Sequence, residues 1–196
     1  QPRNFCQWRT SCRAMGRGQG ARFVQHAERT WSRIMPAYIA LGSNLGDSIA
    51  NIKRAFADLE HLSASPIQKS SLWRSTPVDC PDGSPDFINA VVAIESLGNE
   101  MPESLLAKLK QLEVQFGRRP KVVLNEPRPL DLDLIAFKTE TRDTELLTLP
   151  HPRWHERHFV LEPLNEIAGG TIIPGQTKSV SEILSELETD ENLTRL

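Results

Sequence analysis

Apolar runs broken by polar turns divide the chain after residue 35 into short strands and amphipathic helices. In the first half, the run Ala37–Leu41 predicts a buried strand that ends at Gly42. Apolar residues at helical spacing from Ile49 to Leu59 predict a helix capped by Asp47 or Ser48 and ending near His61. Residues 66–75 and 86–95 predict two further strands, joined by a proline-rich loop.

The second half of the chain continues with further helices and strands. The patterns predict a helix from Pro102 to a C-terminal glycine at 117, a strand over 131–137, a short strand over 145–149, a helix over 159–167 and an amphipathic turn over 180–187 packed on the surface. The order β-α-β-β-α-β predicts an α+β fold, a ferredoxin-like antiparallel sheet with helices packed on one face (an α/β sandwich). Loops and ligands are then expected on the other face.

Composition and charge indicate one domain with a distinct N-terminal segment. The chain is 39% hydrophobic and 24% charged, which suits a single domain with a core. Residues 1–34 carry seven arginines and one acidic residue, a net +6, whereas the rest carries a net −8. The segment 1–34 is expected to be a basic, disordered extension of a single domain over 35–196. A transit peptide, a basic arm and upstream sequence joined to the domain all remain open for it.

The expected environment and partners follow from the same composition. No apolar run reaches the roughly 18–20 residues that span a bilayer, so no membrane partner is expected. Three cysteines without metal-ligand spacing indicate free thiols in a reducing compartment, so we expect a cytoplasmic protein. We also expect it to be a monomer. The acidic body also argues against a nucleic-acid partner.

The strand over 131–137 carries the clearest chemical signal. Alternation along a strand puts Asp131, Asp133 and Ile135 on one face, and Leu132, Leu134 and Ala136 on the other. Two carboxylates with Cα atoms about 6.6–7 Å apart repel each other, unless a divalent cation such as Mg²⁺ joins them. An exposed edge strand with an acidic face is the alternative.

Other candidate residues flank this strand. Arg118 and Lys121 follow the second helix and Arg128 precedes the strand, where they could bind a polyphosphate or simply complement a helix dipole. Asn89 shares a strand face with Phe87, and could be a structural hydrogen bonder or a ligand reader. His151, between two prolines, could cap the core or contact a phosphate or hydroxyl group.

Five stretches together resemble a known family. They are Ala-Tyr-Ile-Ala-Leu-Gly-Ser-Asn-Leu-Gly (37–46), Pro-Asp-Phe-Ile-Asn-Ala (85–90), Pro-Arg-Pro-Leu-Asp-Leu-Asp-Leu (127–134), Leu-Pro-His-Pro-Arg (149–153) and Arg-His-Phe-Val-Leu-Glu-Pro-Leu-Asn-Glu-Ile-Ala (157–168). Their order and spacing are similar to those of the 6-hydroxymethyl-7,8-dihydropterin pyrophosphokinases of folate biosynthesis. The resemblance implies an ATP:pterin diphosphokinase that moves a pyrophosphoryl group to the pterin's hydroxymethyl oxygen and releases AMP, with two Mg²⁺ ions as cofactors.

The resemblance also implies roles for particular residues. Both metal ions are expected on Asp131 and Asp133, and the residues expected to act in catalysis are Asp131, Asp133, Arg118 and Arg128. The residues expected to bind the pterin are Ser75, Pro77, Val78, Phe87, Asn89 and Phe159. The residues expected to bind ATP are Glu113, Arg118, Lys121, Arg128, Leu134, Thr148, His151 and Arg157.

The sequence departs from the family in the loop before the Pro-Arg pair. The family usually has Arg, Trp and Gly where this chain has Leu124, Asn125 and Glu126, and a second loop arginine is replaced by Pro120. We therefore expect weaker closure over ATP or a slower rate. A catalytically weakened relative that serves as a nucleotide- or pterin-binding or interaction module is the alternative.

Restoring the loop is a direct test of that departure. Changing Leu124→Arg together with Asn125→Trp is expected to raise kcat/KM, because it returns one cation and one aromatic group to the lid over the phosphates. Steady-state kinetics with varied ATP would measure it. An unchanged kcat/KM would mean that other groups, such as Arg119, already compensate.

Overall fold

The fold is built on three long strands that pair side by side. The computed structural model describes residues 35–78, 80–81, 83–119 and 126–196. Strand β1 (Ala37–Ser43) lies between β4 (Phe87–Ile94) and β5 (Asp131–Phe137), antiparallel to both. The predictions for residues 1–34, Pro120, Lys121, Leu124 and Asn125 lie outside the described residues.

Shorter strands extend the sheet beyond β4. Strands β2 (Gln68–Lys69) and β3 (Trp73–Ser75) both pair with β4, and β8 (Leu193–Arg195) pairs with β3. The sheet order β5-β1-β4-β3-β8 is antiparallel throughout, which confirms the predicted sheet and the α+β class. The prediction of a single strand over 66–75 is wrong, because this segment forms the two short strands β2 and β3. Between β2 and β3, the Ser70 hydroxyl accepts the Val91 N–H at 2.9 Å, so a side chain enters the strand pairing there.

Two helices pack on one face of the sheet, as predicted. Helix α1 (Ser48–Glu60) begins at Asp47, whose carboxylate accepts the Ala50 N–H at 3.0 Å. Helix α2 (Pro102–Gln115) begins with its proline in the first turn, and Gly117 follows its end with φ +91°, a conformation that suits glycine. The core on this face is made of aliphatic side chains from both layers, including Ile39, Leu41, Ile52, Leu59, Leu105, Leu109, Leu132 and Leu134.

The opposite face also carries helices, so it is not left to loops and ligands alone. Helices α3 (His158–Ala168) and α4 (Val180–Glu186) cover part of it. A second core lies beneath them and includes Tyr38, Val91, Ile135, Trp154, Leu161, Leu164 and Val180. Helix α4 was expected on the surface, but Val180 is fully buried because it completes this core. The site described below occupies the end of the same face beside the start of α3.

Strand β5 alternates as predicted only as far as Ile135. The register shifts between Tyr38, which faces Ala136, and Ile39, which faces Leu134, so Ile135 has no partner on β1. This bulge turns both Ile135 and Ala136 toward the second core. The prediction that Ala136 lies with Leu132 and Leu134 is therefore wrong, whereas the placement of both aspartates on one face is confirmed.

The segment after β5 forms a small hairpin and a turn. Strands β6 (Arg142–Asp143) and β7 (Thr148–Leu149) pair with each other, so the strand predicted over 145–149 shrinks to its last two residues. A cis peptide joins Leu149 to Pro150, and a short 3₁₀ turn (Trp154–Glu156) leads into α3. Within the described residues, no helix has both the length and the apolar character needed to cross a membrane.

Candidate active site

A cavity of about 500 Å³ opens at the end of the sheet beside the start of α3. Its walls come from β1, β4, β5, the loop after β3, the start of α3 and the C-terminal segment. Eleven of the predicted site residues line it: Ser75, Val78, Phe87, Asn89, Arg118, Arg128, Asp131, Asp133, His151, Arg157 and Phe159. The structure thus brings together residues that are up to 84 positions apart in the sequence.

The floor of the cavity is open because Gly42 has no side chain. In the strand register, Gly42 lies between Asn89 on β4 and Asp131 on β5. A Cβ atom at this position would lie 3.5 Å from Asn89 Oδ1, 3.7 Å from Phe87 Cδ1 and 4.0 Å from Asp131 Cβ. The glycine therefore leaves room for a ligand between the amide of Asn89 and the carboxylates.

The cavity wall concentrates charge around Asp131 and Asp133. Asp131 forms ion pairs with Arg118 and, at 3.1 Å, with Arg128, whereas Asp133 lies 3.9 Å from Arg157. Burial alone would raise the pKa of the Asp131 carboxyl, but the guanidiniums of Arg128 and Arg118 outweigh it and hold the pKa below its usual range. Asp131 is therefore ionised near neutral pH, in the form that binds cations.

The two aspartates can accommodate a hard divalent cation. Among the described residues, no cluster of three or more His, Cys, Asp or Glu side chains has the arrangement of a complete protein-made metal site. Mg²⁺ does not need one, because it commonly takes one or two carboxylates and completes its shell with water and substrate phosphates. Two ionisable carboxylates at the wall of an open, cation-lined cavity fit that pattern.

Arg118 is held in place by Glu113, which is buried behind the cavity. A single carboxylate oxygen of Glu113 accepts the Leu132 N–H at 2.8 Å, contacts Lys110 at 2.8 Å and contacts Arg118 at 2.7 Å. Burial raises the pKa of Glu113, and Lys110, the Leu132 N–H and Arg118 offset this only in part. Burial would lower the pKa of Arg118, but Asp131 and Glu113 raise it, so Arg118 remains charged. Glu113 thus ties the end of α2 to β5 and to a cavity cation.

Removing Glu113 is expected to cost stability as well as activity. Glu113→Ala leaves the Leu132 N–H without that acceptor and two cations without their shared anion, so we expect a loss of about 2–4 kcal/mol in the free energy of unfolding. Urea denaturation would measure this loss. Gln111→Ala, an exposed substitution on the same helix, is the matched control and should change it by less than about 0.5 kcal/mol. Equal effects for the two variants would contradict the assigned role.

His151 is fixed beside β5 by its backbone. The backbone N–H of His151 donates to the Ile135 carbonyl at 2.8 Å, and the ring nitrogen Nδ1 accepts the backbone N–H of Arg153 at 3.2 Å. Burial lowers the pKa of His151; Arg157 and Arg153 act in the same direction, and Asp133 opposes them. A neutral ring whose Nδ1 accepts a hydrogen bond carries its proton on Nε2, and it can therefore donate to an anionic ligand.

Two phenyl rings line the same cavity, each near one of its arginines. The Arg128 guanidinium lies 5.9 Å from the centre of the Phe87 ring, and the Arg157 guanidinium lies 5.6 Å from that of Phe159. Asn89 is 3% exposed and donates from its amide nitrogen to the Ser75 hydroxyl at 2.8 Å. The amide nitrogen of Asn89 is thus paired within the protein, and the Asn89 side chain also lines the cavity.

Four described residues of the predicted site do not line the cavity: Pro77, Glu113, Leu134 and Thr148. Leu134 points into the core beneath α1 and α2, because it alternates with Asp133 along β5. Thr148 is exposed on the small hairpin. Glu113 acts through Arg118, as described above.

Several cavity residues were missed by the sequence analysis, among them Gly42, Lys110, Arg153, Glu156 and Glu191. Arg153 ends the Leu-Pro-His-Pro-Arg stretch (149–153) and Glu156 follows it by three residues, so their proximity to His151 in the sequence was an available signal. Lys110 lies one helical turn before Glu113, and its Nζ donates to the Leu132 carbonyl at 3.1 Å. Glu191 lies in the C-terminal segment, where neither periodicity nor a motif pointed to the site.

The fold and the cavity together define an α+β protein with a cavity lined by arginines, two aspartates and two phenyl rings. Residues 38–169 match the family described as 7,8-dihydro-6-hydroxymethylpterin-pyrophosphokinase (HPPK). The chain belongs to this family.

Curated relatives are similar over most of their length. A 2-amino-4-hydroxy-6-hydroxymethyldihydropteridine pyrophosphokinase from Bacillus subtilis is 37% identical over 161 residues, which cover 82% of this chain and 89% of that protein. The protein of the same name from Haemophilus influenzae is 37% identical over 155 residues, covering 79% of this chain and 91% of its own length. Longer proteins match as well. A folate synthesis bifunctional protein from Arabidopsis thaliana is 37% identical over 131 residues, which cover 67% of this chain but 26% of that protein.

Solved structures agree on the fold. The crystal structure of wild-type Plasmodium falciparum HPPK-DHPS with pteroate superimposes with a TM-score of 0.60 and 14% identity, over 79% of this chain and 42% of that one. At this identity the similarity supports the fold alone.

Proposed function

We propose that the chain transfers the pyrophosphoryl group of ATP to the hydroxymethyl group of 6-hydroxymethyl-7,8-dihydropterin, giving the pterin diphosphate and AMP. The observation that carries this proposal is that one cavity is lined both by two aspartates among arginines and by two phenyl rings with a buried amide. We assign Asp131, Asp133 and their cations to a charged end of the cavity, and Phe87, Asn89 and Phe159 to an aromatic end. The curated relatives from Bacillus subtilis and Haemophilus influenzae, named for the pterin pyrophosphokinase reaction, support it.

In this proposal the charged end binds the triphosphate of ATP. Arg118, Arg128, Arg157 and neutral His151 face the phosphate oxygens, and their positive charge or N–H groups offset the charge that builds up as the pyrophosphoryl group moves. Asp131 and Asp133 hold two Mg²⁺ ions, which supply charge neutralisation and polarise the phosphates when they are bound. Arg118 and Arg128 are held in place by contacts within the protein. Glu113 forms an ion pair with Arg118, and the Asn44 side chain accepts the backbone N–H of Arg128 at 2.8 Å.

The aromatic end binds the pterin. The flat ring system lies against the phenyl rings of Phe87 and Phe159, and the polar edge is read by Asn89, with Ser75 and Val78 on the adjoining wall. The hydroxymethyl group then points over Gly42 toward the aspartates. Its oxygen forms a bond to the β-phosphorus of ATP, the bond from that phosphorus to the α,β-bridging oxygen breaks, and AMP leaves with that oxygen. The hydroxyl proton leaves to water.

The catalytic unit in this proposal is the domain over residues 35–196, acting as a monomer on two small-molecule substrates.

The direct test is to identify the nucleotide product. Purified protein with ATP, Mg²⁺ and the hydroxymethyl pterin should release AMP, whereas transfer of a single phosphoryl group would release ADP. Omitting the pterin should abolish AMP release, and removing Mg²⁺ with a chelator should do the same. Release of ADP, or AMP release that does not depend on the pterin, would contradict the proposal. Pterin binding without turnover would instead favour a binding module.

A further inference from the structure

Glu191 joins the C-terminal segment to the pterin end of the cavity. The segment between α4 and β8 returns to the sheet, and Glu191 is half-buried at the cavity wall. Its carboxylate oxygen Oε2 accepts the backbone N–H of Phe159 at 3.3 Å. Phe159 lines the same cavity, and in the proposed function its ring contacts the pterin.

This contact completes the start of α3. Arg157 occupies the capping position, but its side chain makes no capping hydrogen bond. Its carbonyl accepts the N–H groups of Val160 and Leu161, both at 3.0 Å, so the Phe159 N–H takes its acceptor from Glu191. A carboxylate also interacts favourably with the positive end of the helix dipole. Glu191 therefore acts as a cap supplied from a distant part of the chain.

Strand β8 holds Glu191 in place. Leu193 pairs with Ser75, and the Thr76 N–H donates to the Asn192 carbonyl at 3.4 Å. At the end of the strand, Arg195 donates to the Ser71 hydroxyl at 2.7 and 2.9 Å and forms an ion pair with Glu166 of α3 at 3.3 Å. The C-terminal segment thus connects the loop after β3 to α3, which are the two walls of the pterin end.

We propose that Glu191 is a positioning residue for pterin binding: by capping α3 at Phe159, it sets the position of the Phe159 ring against the wall formed by Ser75 and Val78. The inference rests on the proposed function. It assigns to the C-terminal strand a role at the substrate site, although that strand contributes little to the hydrophobic core.

The test compares two substitutions of Glu191 with a control in the same segment. In Glu191→Ala the Phe159 N–H loses its acceptor, and we expect the KM for the pterin to rise about 2- to 30-fold, the range to which the loss of a helix cap corresponds. The KM for ATP and kcat should change less than about twofold. Glu191→Gln keeps an oxygen that can accept the N–H, so it should recover most of the pterin affinity. Glu188→Ala, an exposed change three residues earlier, should match the wild type.

The outcomes separate the two proposals. If the wild type makes AMP and Glu191→Ala leaves the pterin KM unchanged, the positioning role is wrong and the proposed function stands. Equal increases in the KM for ATP and for the pterin would also overturn the role, because they indicate general loosening. If the wild type makes no AMP, the proposed function fails. If Glu191→Ala does not fold, Arg195→Ala is tested instead, because it removes the contacts with Ser71 and Glu166 that hold the end of β8. It should raise the pterin KM selectively, and an unchanged pterin KM would overturn the role.

Discussion

Changing Asp131→Asn and Asp133→Asn together is expected to lower AMP formation by about 10³-fold or more. The two carboxylates are the only aspartates of β5, and they share the strand face that lines the cavity. Asparagine keeps the shape of each side chain but removes the charge that would bind Mg²⁺ and balance Arg118 and Arg128. Single-turnover assays of AMP release at saturating ATP and pterin would measure the loss.

Two controls make this prediction specific. The paired variant should still fold, because asparagine can accept a hydrogen bond from Arg118, so circular dichroism should match the wild type. Asp143→Asn changes an exposed carboxylate in the β6–β7 hairpin and serves as the matched control, with activity within about twofold of the wild type. Retention of a tenth or more of the activity by the paired variant would show that the carboxylates do not carry the reaction.

Arg128→Ala is expected to lower kcat/KM for ATP by about 10²-fold or more. The Arg128 side chain contacts Asp131 at 3.1 Å and lies over the Phe87 ring, so it spans both ends of the cavity. Its Nε is buried and, among the described residues, has no hydrogen-bond partner. Its backbone is fixed separately by Asn44, so removing the side chain leaves the loop in place.

The kinetic pattern distinguishes a phosphate contact from a structural one. Arg128→Lys should recover only part of the activity, because an ammonium group lacks the planar fork that binds two phosphate oxygens. Arg74→Ala, an exposed arginine on β3, is the control and should leave kcat/KM within about twofold. If Arg128→Ala and Arg128→Lys both retain full kcat/KM for ATP, the assignment of Arg128 to the triphosphate is wrong.

The parts of the fold that could be predicted are those fixed by local pattern. Helix α1 follows from its apolar spacing and from Asp47, and the start of α2 follows from Pro102. The paired aspartates could be predicted because strand alternation holds from Asp131 to Ile135. Ala136 could not, because the bulge depends on pairing with Tyr38 across the sheet, and no local pattern records that.

Residue type and spacing pointed to Asp131, Asp133, Arg118 and Arg128, and the family resemblance added Arg157 and Phe159, all of which line the cavity. Gly42 matters through its neighbours across the sheet and Glu191 through its contact with the start of α3, and neither relation can be read from the sequence. Strand β8 has three residues, two of them polar and exposed, so its pattern gives no strand signal. Its place is set by pairing with β3 and by Arg195, contacts that appear only after the chain has folded.

The most direct test of the central claim is to follow both transferred phosphorus atoms by ³¹P NMR. Wild-type protein with ATP, Mg²⁺ and the hydroxymethyl pterin should give equal amounts of AMP and a pterin diphosphate with two coupled phosphorus signals. The Asp131→Asn, Asp133→Asn variant should give neither product under the same conditions. A pterin monophosphate with ADP, or equal product formation by the wild type and the variant, would contradict the account.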